Sequence, residues 1–147
     1  MSDKDILRLL VNRNGAEWIT RELNRIDTSA GDRSHTLTII SNVGIHPLPS
    51  EILQGEVFLA SEGNLDFSSM NVIASQYADI LTRLSQKLKS QEWTNIYILP
   101  FGHCTLSMQI KLLVYRVTRI EAKEIFHLGG GKYDILAIDQ RPIINNA

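Results

Sequence analysis

The chain has 147 residues, 44% of them hydrophobic and 21% charged, which suffices for one domain around one core and excludes a disordered tail protein. Fifteen Lys and Arg against 16 Asp and Glu give a formal charge of -1, so there is no basic excess to hold duplex DNA by counterion release. The single cysteine supplies neither an internal disulfide nor a thiolate metal cage, and it fits a reducing compartment.

The opening MSDKDILRLL carries acidic residues where a secretory leader carries basic ones, and no apolar run approaches the ~20 residues that span a bilayer. The sequence therefore predicts a cytoplasmic protein without a membrane partner. No solenoid-length repeat, Ser/Gly linker or charge block marks a boundary. Residues 1–147 read as a single domain, with a helical segment over 1–27 and an α/β core over 36–139.

Asp3 to Leu10 and Ala16 to Ile26 read as one interrupted helix or two short ones, because Asn12, Asn14 and Gly15 are poor helix formers. Trp18, Ile19, Leu23 and Ile26 fall on one stripe. After a Ser, Gly and Asp loop over Thr28 to Ser34, the β-branched run Thr36 to Ser41 predicts a strand. Asn42 to Gly55 holds Pro47 and Pro49 and cannot continue it.

Gly55 to Ala60 predicts a second strand, and Asp66-Phe67-Ser68-Ser69 offers capping oxygens for the longest helix, Asn71 to Gln91. There Ile73, Tyr77, Ile80, Leu81, Leu84 and Leu88 recur at helical spacing, a stripe suited to covering a sheet. Asn95 to Leu99 is apolar almost throughout, as a parallel strand buried on both faces requires. From Thr105 to Thr118, Leu106, Ile110, Leu113 and Val117 mark a further helix. Glu124 to Leu128 and Tyr133 to Ile138 predict two strands around Gly129-Gly-Gly-Lys132, as a hairpin or apart. The order implies an α/β sandwich, a mainly parallel central sheet flanked by helices, with a right-handed crossover from Ile96 to Ile125.

In open α/β sheets, ligands sit outside the carboxyl ends of strands, where helix N-termini present free N–H groups. Leu99-Pro-Phe-Gly-His-Cys-Thr-Leu-Ser107 is such a junction. Gly102 permits close approach of backbone to ligand, Thr105 and Ser107 carry hydroxyls, and the first helical turn suits a phosphate. The plain alternative is a strand-to-helix turn capped by Thr105. Ser41-Asn42-Val43-Gly44 is a second junction, which opens on the same rim if the two strands are parallel, or else serves only as a turn. The candidate binding set is Ser41, Asn42, Phe101, Gly102, His103 and Thr105.

Among His35, His46, His103 and His127 there is no His-x-Glu, HExxH or i,i+4 pair, so no metal site and no cofactor are expected. His103, in the junction, can donate to a phosphate or act as a general acid. Replacing it with alanine should weaken binding and leave folding nearly unchanged. His127 reads as a cross-strand surface residue and Cys104 as a small buried hydrophobe. Gly129 to Lys132 lacks the G-x-x-x-x-G-K-[ST] pattern and reads as a flexible turn. Lys111, Arg116, Arg119 and Lys132 are available cations that receive no role.

Trp93, then Asn95-Ile-Tyr-Ile-Leu-Pro-Phe-Gly, the amphipathic helix through Val117, Glu124-Ile-Phe-His-Leu and Tyr133-Asp-Ile-Leu-Ala-Ile together resemble the closing part of a SAVED domain. Such domains are built from units similar to the CARF fold of CRISPR-associated sensors. The helix Asn71 to Gln91 and the strand Thr36 to Ser41 fit the same unit in order. The chain departs from the pattern after Phe101, where the alanine-rich helix start and a glycine are missing, and it is about one CARF-like unit long. The resemblance implies a Rossmann-like sensor that binds a cyclic nucleotide or cyclic oligonucleotide second messenger in anti-phage defence of the CBASS or type III CRISPR kind. The alternatives are a metal-independent, ring-nuclease-like phosphodiesterase with His103 as acid, or an assembly subunit without a ligand. A unit of this length presents a shallow cleft, so a homo-oligomer is expected, most simply a two-fold dimer with Trp18 as an interface candidate, together with a separate effector protein.

Overall fold

The computed structural model describes residues 35–44 and 52–146, with Lys4, Asp5, Arg8, Asn12 and Gly15 before them. Of the first expected helix, Asp3 to Leu10, the described residues Lys4, Asp5 and Arg8 are helical, as is Asn12, which had been read as a weak point; the expected helix Ala16 to Ile26 with Trp18, and His46, Pro47 and Pro49, lie outside the described residues. The order of elements is β1 (Thr36–Ile40), β2 (Glu56–Leu59), α1 (Met70–Lys89), β3 (Asn95–Leu99), α2 (Cys104–Thr118), β4 (Lys123–Gly129), β5 (Lys132–Leu136) and α3 (Arg141–Asn146). They build an α/β fold on one five-stranded mixed sheet of order β2-β1-β3-β4-β5.

β1 lies parallel to both β2 and β3, with Ile39 opposite Phe58 on one side and Ile98 on the other. All five residues of β1 are buried. Neither face of a central parallel strand meets water, so even its two threonines are buried, and the Thr38 hydroxyl donates to the Gln54 carbonyl at 2.7 Å. Leu37, Ile39, Ile96 and Ile98 point to one face, where Tyr77, Ile80, Leu84 and Leu88 of α1 and Leu106, Ile110 and Val114 of α2 complete a single core cluster. The buried row of α2 includes Val114, which the sequence reading did not place in the stripe; Leu113 and Val117 pack partly buried at its margin. On the opposite face Ile40, Tyr97, Leu99 and Ile125 form a second cluster, with Ile52, Leu53, Phe101 and Tyr133 against it. Among the described helices, α1 and α2 thus share one face, a narrower arrangement than helices on both sides.

Ser69 caps α1 by accepting from the Val72 N–H at 3.2 Å. Across the sheet margin Lys87 of α1 pairs with Glu56 of β2. The last two strands form an antiparallel hairpin, with His127 opposite Tyr133. Its turn is glycine because Gly129, Gly130 and Gly131 all hold positive φ, at 89°, 58° and 73°. β4 pairs with β3 only through Lys123 and Glu124, so the rest of the hairpin runs on past the carboxyl end of β3. β5 stops at Leu136, short of the expected Ile138, which is exposed. The chain turns there because Asp139 accepts from the Arg141 N–H at 3.0 Å and starts α3.

Asp139 is held down to about 2 from a usual 3.8, first by the side-chain hydrogen bond from Arg141 and then by its backbone N–H. A depressed carboxyl contributes stability above its unfolded value and loses it as pH falls through the folded one. The Arg141 amide resonance should therefore hold steady from pH 7 to about 3 and move as the pH falls through about 2 in an NMR titration. Among the described residues no helix is long and apolar enough to cross a membrane.

Candidate functional site at the carboxyl edge of the sheet

The chain leaves β1 toward β2 on one side and leaves β3 toward β4 on the other. The carboxyl ends of β1 and β3, adjacent and in register at Ile40 and Leu99, therefore flank the point where the strand order reverses, the usual ligand position in an open α/β sheet. Both junctions singled out in the sequence open there.

Gly102 sits at φ 80°, and a Cβ on it would lie 2.8 Å from the Asn42 Cβ and 3.0 Å from its Nδ2. The two junctions are thus in direct contact, and only a residue without a side chain fits between them. Asn42 does not fold back on its own turn. Its Nδ2 donates to the Gly63 carbonyl at 2.9 Å, tying the β1 end to the loop after β2, while its Oδ1 is enclosed without a donor.

Ser41 lies beneath the rim rather than on it, fully buried. Its hydroxyl accepts from Ser107 of α2 at 2.9 Å, its carbonyl accepts from Ser61 at 2.6 Å, and its N–H donates to Leu99 at 3.1 Å. Ser41 and Ser107 join β1 to α2 and so fix where the helix begins.

The cap of α2 is His103, not Thr105: the imidazole Nδ1 accepts from the Thr105 N–H at 3.3 Å, and the His103 carbonyl accepts from the Leu106 N–H at 3.2 Å. A backbone N–H can only donate, so Nδ1 carries the lone pair and the ring proton resides on Nε2. Because the ring caps the helix, His103→Ala is expected to cost about 1 kcal/mol of stability as well as a ligand contact, more than the sequence alone suggested. Phe67, 46% exposed in the stretch before α1, leans on the same ring with centroids 5.0 Å apart.

Of the N–H groups at the start of α2, those of Thr105 and Leu106 are engaged by His103. The three before them, on Gly102, His103 and Cys104, have no hydrogen-bond partner among the described residues. All three residues are exposed. Cys104 is accordingly not the buried hydrophobe expected from a lone cysteine, since as the first residue of α2 it points away from the row of Leu106, Ile110 and Val114.

The hairpin flanks the rim with rings. Phe101 lies 6.2 Å from Tyr133, and Tyr133 lies 4.8 Å from His127, centroid to centroid. His127 is therefore a cross-strand neighbour of Tyr133. Two of the four cations are engaged elsewhere: Lys111 pairs with Glu124 at 2.6 Å, and Arg119 ends α2, far from Gly102, with its guanidinium over Tyr115. His35 meets the Glu92 carbonyl before β1 begins. Among the described residues no three of His, Cys, Asp and Glu come together as metal ligands.

Sequence reasoning missed Phe67, Tyr77 and Gly63. Phe67 had been placed only in a capping stretch, and Tyr77 only in a core stripe. The Tyr77 hydroxyl nevertheless meets the Thr105 hydroxyl at 2.7 Å across 28 positions of sequence. Comparison with protein-family models, with curated proteins and with solved structures finds no match to this chain.

Proposed function

We propose that this rim binds a phosphorylated small molecule, and that the ligand is a cyclic nucleotide or cyclic oligonucleotide, the class implied by the SAVED and CARF resemblance. The carrying observation is the run of three N–H groups on the exposed residues Gly102, His103 and Cys104, without a partner among the described residues, at the head of a 15-residue helix. Successive free amides with the positive end of a helix behind them form a concavity suited to anionic oxygen. The reversal of strand order between β1 and β3 supports a Rossmann-like sensor unit, and Phe67 and Phe101 offer apolar surface beside the amides for the remainder of the ligand.

The His103 tautomer supplies the donor that the binding reading needs and excludes a general base at Nε2, while the alternative with His103 as general acid keeps its proton. A ring that accepts at Nδ1 presents an N–H at Nε2 and no lone pair there. It can hydrogen-bond a phosphate oxygen, but at Nε2 it cannot take a proton from an attacking nucleophile.

Titrating isotope-labelled protein with cyclic dinucleotides and cyclic oligoadenylates should shift the Gly102, His103 and Cys104 amide resonances selectively. His103→Ala should weaken the tightest of these interactions by about 1–2 kcal/mol, roughly tenfold. His103→Asn, which keeps a capping oxygen, separates that loss from the loss of the cap. A panel in which no member moves those three resonances at millimolar concentration rejects the reading.

A further inference from the structure

We propose that Tyr77 of α1 is a positioning residue for His103, acting through the Thr105 hydroxyl to fix the imidazole with Nε2–H turned outward. This rests on the reading of the rim as the binding site. The Tyr77 hydroxyl lies 2.7 Å from Thr105 Oγ1, and Thr105 Oγ1 lies 2.7 Å from His103 Nδ1. Distances leave the direction of each bond open, but the Thr105 backbone settles it. Because the Thr105 N–H donates to Nδ1 at 3.3 Å, Nδ1 is unprotonated and cannot donate to the hydroxyl. The hydroxyl must then donate to Nδ1, and its oxygen is left to accept from Tyr77. The chain runs Tyr77 O–H to Thr105 O–H to His103 Nδ1, each donor polarising the next.

The location of Tyr77 makes the arrangement rigid. Tyr77 is 8% exposed in the main core cluster beside Ile80, Leu84 and Leu106, so its ring is clamped by packing and its hydroxyl has a fixed place at the cluster's upper margin. Thr105, by contrast, is an exposed residue near a helix start. A threonine there is free to turn its hydroxyl to water. A hydrogen bond accepted from the core tyrosine holds it on the imidazole instead. Phe67 then packs against the ring, with centroids 5.0 Å apart. The chemical consequence is selectivity for an acceptor, since the rim presents its histidine as a fixed donor beside donors from the backbone.

The test needs no ligand for its first arm. Nitrogen-15 shifts of the His103 ring should show a single Nε2-protonated tautomer in the native protein. Tyr77→Phe, which removes only the hydroxyl, should shift and broaden the ring nitrogen resonances as the imidazole loses its fixed orientation, while the Thr105 N–H keeps Nδ1 unprotonated. Thr105→Val should do the same and Thr105→Ser should restore the native pattern, and this pair carries the test should the tyrosine variant not fold. A native ring protonated at Nδ1 overturns the proposal, as do Thr105→Val and Tyr77→Phe spectra superimposable on the native one. In the second arm, with inorganic phosphate as probe, Tyr77→Phe should weaken binding about three- to tenfold in the native background and not at all in His103→Ala. Equal losses in both backgrounds would mean that Tyr77 acts on the fold and not through His103. Failure of phosphate and every nucleotide to bind would reject the site reading while the ring spectra still decide the role of Tyr77.

Discussion

Gly102→Val should abolish ligand-induced shifts at the rim and lower the stability of the fold by roughly 3 kcal/mol. Two costs add. A side chain at φ 80° occupies the left-handed region, for which an L-residue forfeits about 1–2 kcal/mol and a β-branched one more. The new Cβ also falls 2.8 Å from the Asn42 Cβ, a distance that forces one junction away from the other at a cost of about 1–3 kcal/mol. Asn42 is anchored to Gly63, so it cannot simply swing aside. Combining Gly102→Ala with Asn42→Gly distinguishes the two terms: the pair should recover the steric part and keep the backbone part. Calorimetry and the amide titration measure both effects, and native-like binding by Gly102→Val would show that no ligand approaches this junction.

The second large effect concerns the fold alone. Gly55→Ala should destabilise the protein by about 3 kcal/mol or more, a fall in melting temperature of about 10 °C for a chain of this size. Gly55 holds φ 69°, and a Cβ there would lie 2.2 Å from the Thr36 carbonyl oxygen and 2.7 Å from its carbonyl carbon. Those are backbone atoms of β1, so no side-chain rotation relieves the contact. The next residue, Glu56, begins the parallel ladder opposite Leu37, and displacing Gly55 shifts β2 from β1 at the start of their pairing. A thermal scan showing a loss below 1 kcal/mol would mean that β2, as an edge strand, moves more freely than its pairing suggests.

His103 illustrates how one residue carries two burdens in this molecule. It closes the first turn of α2 through Nδ1 and its carbonyl, and it leaves the amides of Gly102, itself and Cys104 open. An aspartate or asparagine would cap the turn as well. An imidazole carries its second polar atom, Nε2, farther from the backbone than either of those short side chains can. An aspartate would also set a negative charge beside the open amides, in competition with any anionic ligand. The choice of histidine as cap is consistent with a site that must both begin a helix and receive acceptor oxygens.

The elements themselves were legible in the sequence because each is written in a local period. Thr36 to Ile40 is a β-branched run and Asn95 to Leu99 is too apolar for a half-solvated strand, and both prove central and parallel. The stripe from Ile73 to Leu88 has helical spacing, and Ser69 stands at its start as the cap. With the strands parallel, the two junctions had to share a rim, so the location of the candidate site also followed from the sequence. What the rim's side chains do there did not. Whether Ser41 faces ligand or core depends on Ser107, 66 positions away, and the orientation of His103 depends on Tyr77 through Thr105. Those pairings are set by the register of β1 on β3 and by the packing of α1 beside α2. Neither leaves a mark in local periodicity, because a serine, a histidine or a tyrosine suits a turn, a cap or a core equally until its neighbours are in place.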